Sequence, residues 1–356
     1  MTVSVEVLRE QVRAVMEAHW QPQGYTVPNA QTYPFLWLWD SCFHAVIWAA
    51  LGEADRAVTE LAHVFRLQDD DGFVPHIDYE RDPTFHASFW GREGASTITQ
   101  PPVHGHAIAA LARRGIVVPD DIVQRSTAHL EWFLRERRHA SGLVAALHPW
   151  ETGCDDSARF DAWGAADPRQ WFDVKGALVH DLPANGFDCA PVSLSALVAW
   201  SCRELGVDDD GLAAALATRW DAERRTWVDG GAAARTSGEA RTLDGLLPQL
   251  VDPRPEVRAD LADPLAYGAA FGPRGADRAE PTYQPDRYWR GPVWPQLGYL
   301  LWCAGALAAE PTVRGASTSG LAELWNPETG AGLGAIPQSW TGLVLLMAEE
   351  PERSAR

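Results

Sequence analysis

Two carboxylate-bearing segments have the residue types that breaking a glycosidic bond requires. The first, His148-Pro149-Trp150-Glu151-Thr152-Gly153-Cys154-Asp155-Asp156-Ser157-Ala158-Arg159-Phe160-Asp161, gathers four acids beside Trp, His and Arg in a Gly-containing turn. Glycoside hydrolysis uses one carboxylic acid to protonate the leaving oxygen and a second carboxylate to activate water or attack the sugar. This loop can supply one of the pair, and a merely solvated charged loop is the competing reading. The second segment, Glu323-Leu324-Trp325-Asn326-Pro327-Glu328-Thr329-Gly330, reads as the end of a helix in an Asn-Pro turn. A Glu in the last helical turn works against the helix dipole, so an environment that raises its pKa is expected there. A base poised near neutral pH suits water activation; a solvated terminal Glu explains the same residues.

Aromatic side chains interleave with hydrogen-bonding groups in two further places, Tyr33-Pro34-Phe35-Leu36-Trp37-Leu38-Trp39-Asp40 and Arg287-Tyr288-Trp289-Arg290-Gly291-Pro292-Val293-Trp294. An Asp or Arg beside an aromatic ring gives hydrogen bonds to hydroxyls next to a stacking platform, as sugar recognition needs. Trp37 and Trp39 are two apart before a helix, so they are expected to point in opposite directions, with at least one in the core. Phe73-Val74-Pro75-His76 and Thr99-Gln100-Pro101-Pro102 add a His and a Gln of the same kind. The chain has 17 Trp, which either fill a large helical core or stack on sugar rings. Metal chemistry is not expected: His104 and His106 lie about 200° apart around a helix axis and cannot share one ion from one face. The run Asp69-Asp70-Asp71 is broken at once by Gly72 and Pro75.

These residues need elements to hold them, and the apolar spacing predicts helices. Val5, Leu8, Val12, Val15 and Met16 recur at helical intervals, as do Ala57, Val58, Leu61, Val64 and Phe65. Similar stretches run over Ser41–Leu51, Val103–Arg113, Asp120–Leu134, Val192–Leu205, Gly211–Trp220, Pro292–Leu307, Thr318–Trp325 and Ser339–Glu349. Between them lie long polar connections, notably Gln68–Gln100, Ala140–Pro191 and Trp227–Tyr288, and long loops in a compact domain usually carry function. Period-2 alternation is nearly absent. About ten to twelve helices with long loops after alternate ones fit a closed ring of helix pairs, with one concave site at the loop end.

With 356 residues the prior is one large domain over 1–356. A net charge of −18 would repel a phosphate backbone, so nucleic acid is not an expected partner. No apolar run approaches the roughly 18 residues of a membrane span, and no signal peptide is visible. Five scattered cysteines without a C-x-x-C pair argue against a disulfide framework and a structural zinc, so a reducing cytoplasm fits best. Whether the chain forms a homo-oligomer is left open.

Taken in order, Trp-Leu-Trp-Asp-Ser at 37–41, Thr-Gln-Pro-Pro at 99–102, Glu-Thr-Gly-Cys-Asp-Asp-Ser at 151–157, Tyr-Trp-Arg-Gly-Pro-Val-Trp at 288–294 and Glu-Leu-Trp-Asn-Pro-Glu-Thr-Gly at 323–330 resemble glycoside hydrolase family 63 and its trehalase relatives. The resemblance spans nearly the whole chain. It is strongest to the compact bacterial branch that includes mannosylglycerate and glucosylglycerate hydrolases. It implies an all-α (α/α)6 barrel that hydrolyses an α-glycoside with inversion, without metal or organic cofactor, on a small-molecule carbohydrate. By the same matching the general acid falls on Asp155 and the general base on Glu323. Tyr33, Trp37, Trp39, Asp40, His76, Gln100, Trp289, Arg290, Trp294, Gln338 and Trp340 look like sugar-pocket residues.

Departures from the family pattern bear on substrate. Thr152, Asp156 and Ala158 replace a usual Ser, Asn and Pro in the acid loop. Asp156 is a second carboxylate beside the proposed acid, able to raise the pKa of Asp155 or to be the donor itself. Inversion requires the two catalytic carboxyls to lie about 6.5–9.5 Å apart with a water between them. The alternatives are another toroid sugar enzyme, such as a lyase or epimerase, and a carbohydrate-binding protein without chemistry.

Overall fold

Ser4 opens α1 (Val5–His19): in the computed structural model its side chain accepts a hydrogen bond from the Val7 N–H at 3.3 Å, and Leu8, Val12 and Met16 are buried along one face. The structure describes residues 4–161, 187–232 and 237–350. Part of the predicted loop Ala140–Pro191 therefore lies outside the described residues.

The helices are of two kinds. Every residue of α2 (Leu38–Ala50) is buried, and α5 (His104–Arg113), α7 (Val192–Leu205) and α10 (Pro295–Cys303) are buried over most of their surface. By contrast α3 (Ala54–Val64), α6 (Asp120–Glu136), α8 (Leu212–Ala217), α9 (Pro255–Ala262) and α11 (Ala309–Ser319) bury one face only, as does α1; α4 (Ala87–Trp90) is a single turn. A helix that is apolar all round must have neighbours all round. Accordingly α2 packs on α5, α5 on α7, and α7 on the 3-10 segment Asp244–Leu250. That segment packs on α10, α10 on the 3-10 turn Ser339–Leu343, and this turn, which runs into α12 (Val344–Glu349), returns to α2. The one-faced helices cover this circuit from outside, with α1 lying on α12 and on Ser339–Leu343. One apolar cluster extends from Leu8 to Met347.

Among the described residues strands are few. Three antiparallel ladders of two residues each join β1 (Leu36–Trp37) to β2 (Ile77–Asp78), β3 (Trp220–Asp221) to β4 (Thr226–Trp227) and β5 (Leu324–Trp325) to β6 (Gly332–Leu333). Two of them correct the expected helices. The helix predicted over Thr318–Trp325 stops at Ser319, because Leu321 takes a left-handed φ of 56° and Leu324–Trp325 pairs with Gly332–Leu333. Glu323 thus precedes a strand instead of ending a helix. The stretch Gly211–Trp220 is helical only to Ala217, since Trp220 enters β3. In Pro292–Leu307 the helix begins at Pro295, after Val293 has paired with Trp325.

His104 and His106 face different neighbours, as their spacing requires. His104 reaches Ser126 at 2.6 Å and His129 at 3.0 Å, whereas His106 reaches Tyr299 at 2.9 Å and stacks on Trp200. Among the described residues no helix is long and apolar enough to cross a membrane.

Candidate active site

The loops entering α2 and α10, the 76–100 segment, the 148–161 loop and the β5–β6 hairpin converge on one end of the helix circuit. There they line a small inner chamber of 70 Å³ and an outer chamber of 760 Å³, which share Tyr33, Trp37, Gln100, Asp155 and Tyr288. Glu323 and Asp155 both line the inner chamber, and Asp155 also lines the outer one.

Glu323 is 3 % exposed and both of its carboxylate oxygens are held. Tyr33 donates its hydroxyl to Oε1 at 3.0 Å, and the Ala335 N–H donates to Oε2 at 2.8 Å. Burial pushes the pKa of Glu323 up, and these two hydrogen bonds to the ionised form pull it back. The elevated pKa expected from the sequence is therefore present, but its cause is burial and not the dipole of a helix. Asp40, in the first turn of α2, is also buried; its pKa is driven well up by burial and then by the charge of Glu323. Burial and the same charge raise the Tyr33 phenol, so its hydroxyl stays protonated as a donor.

The 148–161 loop is fixed by ion pairs through Glu151, Asp156, Arg159 and Asp161. Arg137 grips Glu151 through two bonds of 3.0 and 3.1 Å, and Glu151 also accepts the N–H groups of Leu147 and Thr99. Asp156 is bound by Arg290 at 3.0 and 3.4 Å, and the same guanidinium holds Asp161 at 2.6 Å. Arg159 pairs with Asp229 through two bonds of 3.0 Å. Asp155 is the acid of this loop that lines the chambers. Gly153 turns the chain toward it with φ 69°, and a Cβ there would sit 2.6 Å from the Trp39 ring. The idea that Asp156 donates the proton does not fit this arrangement: its carboxylate is buried against Arg290 and Arg287 and lines neither chamber.

Most of the sequence-predicted residues meet here. Tyr33, Trp37, Trp39, Asp40 and Gln100 line the inner chamber, as do Trp289, Gln338 and Trp340. Trp37 and Trp39 were expected to diverge; because α2 begins at Leu38, strand alternation ends between them and both rings reach the same space. Trp39 meets Trp340 edge to face at 5.7 Å, and its backbone N–H donates to the Gln100 Oε1 at 3.4 Å. The Trp37 indole N–H and the Gln338 side-chain oxygen are buried without a hydrogen-bond partner among the described residues, so each can serve a bound hydroxyl. His76 lines only the outer chamber; burial lowers its pKa to about 3, and its neutral ring is held by Ser96 at 2.6 Å.

Arg290 and Trp294 are not in either chamber. Arg290 is spent on Asp156 and Asp161, and Trp294 lies behind Trp289, stacked on it at 3.6 Å. The sequence reading missed Tyr288, which lines both chambers, and the aromatic wall of the outer chamber drawn from Tyr79 to Trp90. Tyr288 stood inside a recognised motif; for the wall, the spacing of Phe85 and Phe89 was the available signal. A larger cavity of 1170 Å³ lies apart from these residues, between α9 and the turn from α10 to α11.

Known proteins share this architecture. The model of a family described as the mannosylglycerate hydrolase MGH1-like glycoside hydrolase domain matches residues 33–341. A mannosylglycerate hydrolase from Rubrobacter radiotolerans is 28% identical over 96% of each chain. A glucosylglycerate hydrolase from Mycolicibacterium hassiacum is 28% identical over 88% of this chain and 91% of its own. Among solved structures, the GH63 mannosylglycerate hydrolase of Thermus thermophilus in complex with Tris and D-glycerate superposes with a TM-score of 0.81 at 26% identity, covering 95% of this chain and 99% of that one.

Proposed function

The chain belongs to the family of mannosylglycerate hydrolase MGH1-like glycoside hydrolases, and from that premise we propose that it cleaves a glucosyl or mannosyl α-glycoside of the glycerate type with inversion. The single observation that carries this reading is the inner chamber, in which Asp155 and Glu323 share one small space and Glu323 is held through both oxygens.

In this mechanism the sugar ring occupies the inner chamber against Trp39, Trp289 and Trp340, and protonated Asp155 faces the glycosidic oxygen. Glu323 takes a proton from a water, whose oxygen attacks the anomeric carbon as the bond to the leaving oxygen breaks. That oxygen receives the proton of Asp155, so the product sugar emerges with inverted configuration. Tyr33 orients Glu323 and tunes its proton affinity; a protonated Asp40 is a donor for a sugar hydroxyl. Family membership favours this over the lyase, epimerase and pure binding readings.

The finer fold reading is a single (α/α)6-barrel domain. Its support is the circuit of buried segments among the described residues, α2, α5, α7, Asp244–Leu250, α10 and Ser339–Leu343, each touching the next. A cytoplasmic setting is proposed on the scattered cysteines alone. The test of function is incubation with glucosylglycerate, mannosylglycerate, trehalose and kojibiose, following the released anomer by proton NMR. Release of the β-anomer, lost in Asp155→Asn and Glu323→Gln, supports the whole assignment; release of the α-anomer refutes inversion.

A further inference from the structure

We propose that the cavity of 1170 Å³ between α9 and the turn from α10 to α11 is a second ligand site, one that takes a small organic molecule carrying two negative charges. It shares no lining residue with the chambers of Asp155 and Glu323. Three arginines line it, Arg258 from α9, Arg274 and Arg278, against a single acid, Glu328. Arg274 is fixed in place at 2 % exposure: its Nε and Nη2 each hold Glu328 at 2.7 Å, and its Nη1 donates to the carbonyls of Pro264 and Ala266 at 3.1 and 3.2 Å. Arg258 and Arg278 are the opposite case. Both are exposed, and they are the only arginines whose side chains make no hydrogen bond, ion pair or ring contact among the described residues.

That both bare guanidinium groups line the same cavity decides its chemistry. The chain as a whole carries a net charge of −18, so acids are plentiful, yet none is placed against these two. With Glu328 matched to Arg274, the lining keeps an excess of two positive charges. A guanidinium presents a planar fork of N–H donors that fits carboxylate or phosphate oxygens, and two of them suit a phosphate ester or a dicarboxylate. Leu261, Ala306, Leu307 and Pro311 supply apolar surface for the carbon frame of such a molecule.

The cavity also adjoins the hairpin that carries the proposed base. Glu328 follows β5 in the turn toward β6, five residues after Glu323. Phe271, between the lining residues Ala270 and Gly272, donates its N–H to the Pro327 carbonyl at 3.1 Å and accepts the Trp325 indole N–H at 2.7 Å. An anion on Arg258 and Arg278 repels Glu328 and competes with it for Arg274, so its binding bears on this hairpin.

The experiment is isothermal titration with inorganic phosphate, glycerol phosphate, succinate and glycerol, on the natural chain and on the double variant Arg258→Ala, Arg278→Ala. Neither side chain has a partner to lose, so the melting temperature should hold. One molecule of glycerol phosphate or succinate should bind per chain, and glycerol should not. In the double variant the affinity should fall at least about tenfold, the size of one lost charge-assisted hydrogen bond. Tighter binding of glycerol phosphate identifies a phosphate ester, and tighter binding of succinate a dicarboxylate. Inorganic phosphate bound as tightly as either overturns the organic ligand, and no anion bound, or binding that the double variant leaves unchanged, overturns the site. The bound anion should also change kcat/KM for hydrolysis in the natural chain and not in the double variant; binding without that change overturns the link to the hairpin. Titration needs no turnover, so the site is tested separately from the roles of Asp155 and Glu323.

Discussion

Replacing Tyr33 with Phe removes one hydroxyl from the inner chamber and asks directly whether Glu323 works as a base. That hydroxyl donates to Oε1 at 3.0 Å, while Oε2 keeps the Ala335 N–H at 2.8 Å. A hydrogen bond to a charged group contributes about 1.5–3 kcal/mol, and at 1.36 kcal/mol for each factor of ten its loss corresponds to about one to two pH units. The sign follows from which form the bond favours. It stabilises the ionised carboxylate, so without it burial, already the largest influence on Glu323, raises its proton affinity further. A general base works only when ionised. The acid limb of the kcat/KM profile should therefore move upward by about one to two pH units, with rates converging on those of the natural chain well above it. The assay is hydrolysis of the cognate glycoside across the pH range in both proteins. An acid limb that stays in place while the whole profile is scaled down refutes the reasoning, and would make Tyr33 a sugar contact and not a tuner of the base.

Other expectations concern the same residues. Asp155→Asn and Glu323→Gln should each lower kcat by about 10²–10⁴-fold with no loss of thermal stability, measured by assay and melting. Asp40 has a folded-state pKa raised well above its unfolded value, so it contributes stability at acid pH that is lost as pH rises through the folded value. Asp40→Asn should therefore melt no lower than the natural chain at neutral pH and show a flatter dependence of Tm on pH. Arg290→Ala leaves the Asp156 carboxylate buried without its main partner and should cost about 3–5 kcal/mol in urea unfolding; a raised KM with unchanged stability would return Arg290 to the sugar pocket. Gly334→Ala would set a Cβ 2.3 Å from the Glu323 Oε2 at a φ of 67°, and should reduce kcat by tenfold or more while the circular dichroism spectrum is kept.

What the sequence made legible depended on the range of the interactions involved. Stretches such as α2 and α7 were legible as helices from their apolar residues, but their burial on nearly every side was not, because it is set by neighbours far along the chain. The acid loop was readable because its acids are adjacent, but their division of labour was not: Asp156 is removed from the chamber by Arg290, 134 residues away. The same distance hid the role of Arg290, whose type and aromatic neighbours suit a sugar equally well. The helix end expected at Glu323 is absent, since the spacing around it mimics a helix until Leu321 turns the chain. The wall from Tyr79 to Trp90 has little periodicity to read, and its rings become a surface only when β2 is pinned beside β1.

The circuit of buried helices closes through contacts between the two ends of the chain, and this gives the enzyme a timetable. Tyr33 and Glu323 are 290 residues apart, so at about 5–20 residues per second a ribosome releases the second about 15–60 s after the first. For most of that interval α2, buried on every face in the fold, has been made while the Ser339–Leu343 turn that covers it has not. The site therefore assembles only after Glu323 and the Ser339–Leu343 turn have been made, and until then α2 is a segment a chaperone would be expected to shield.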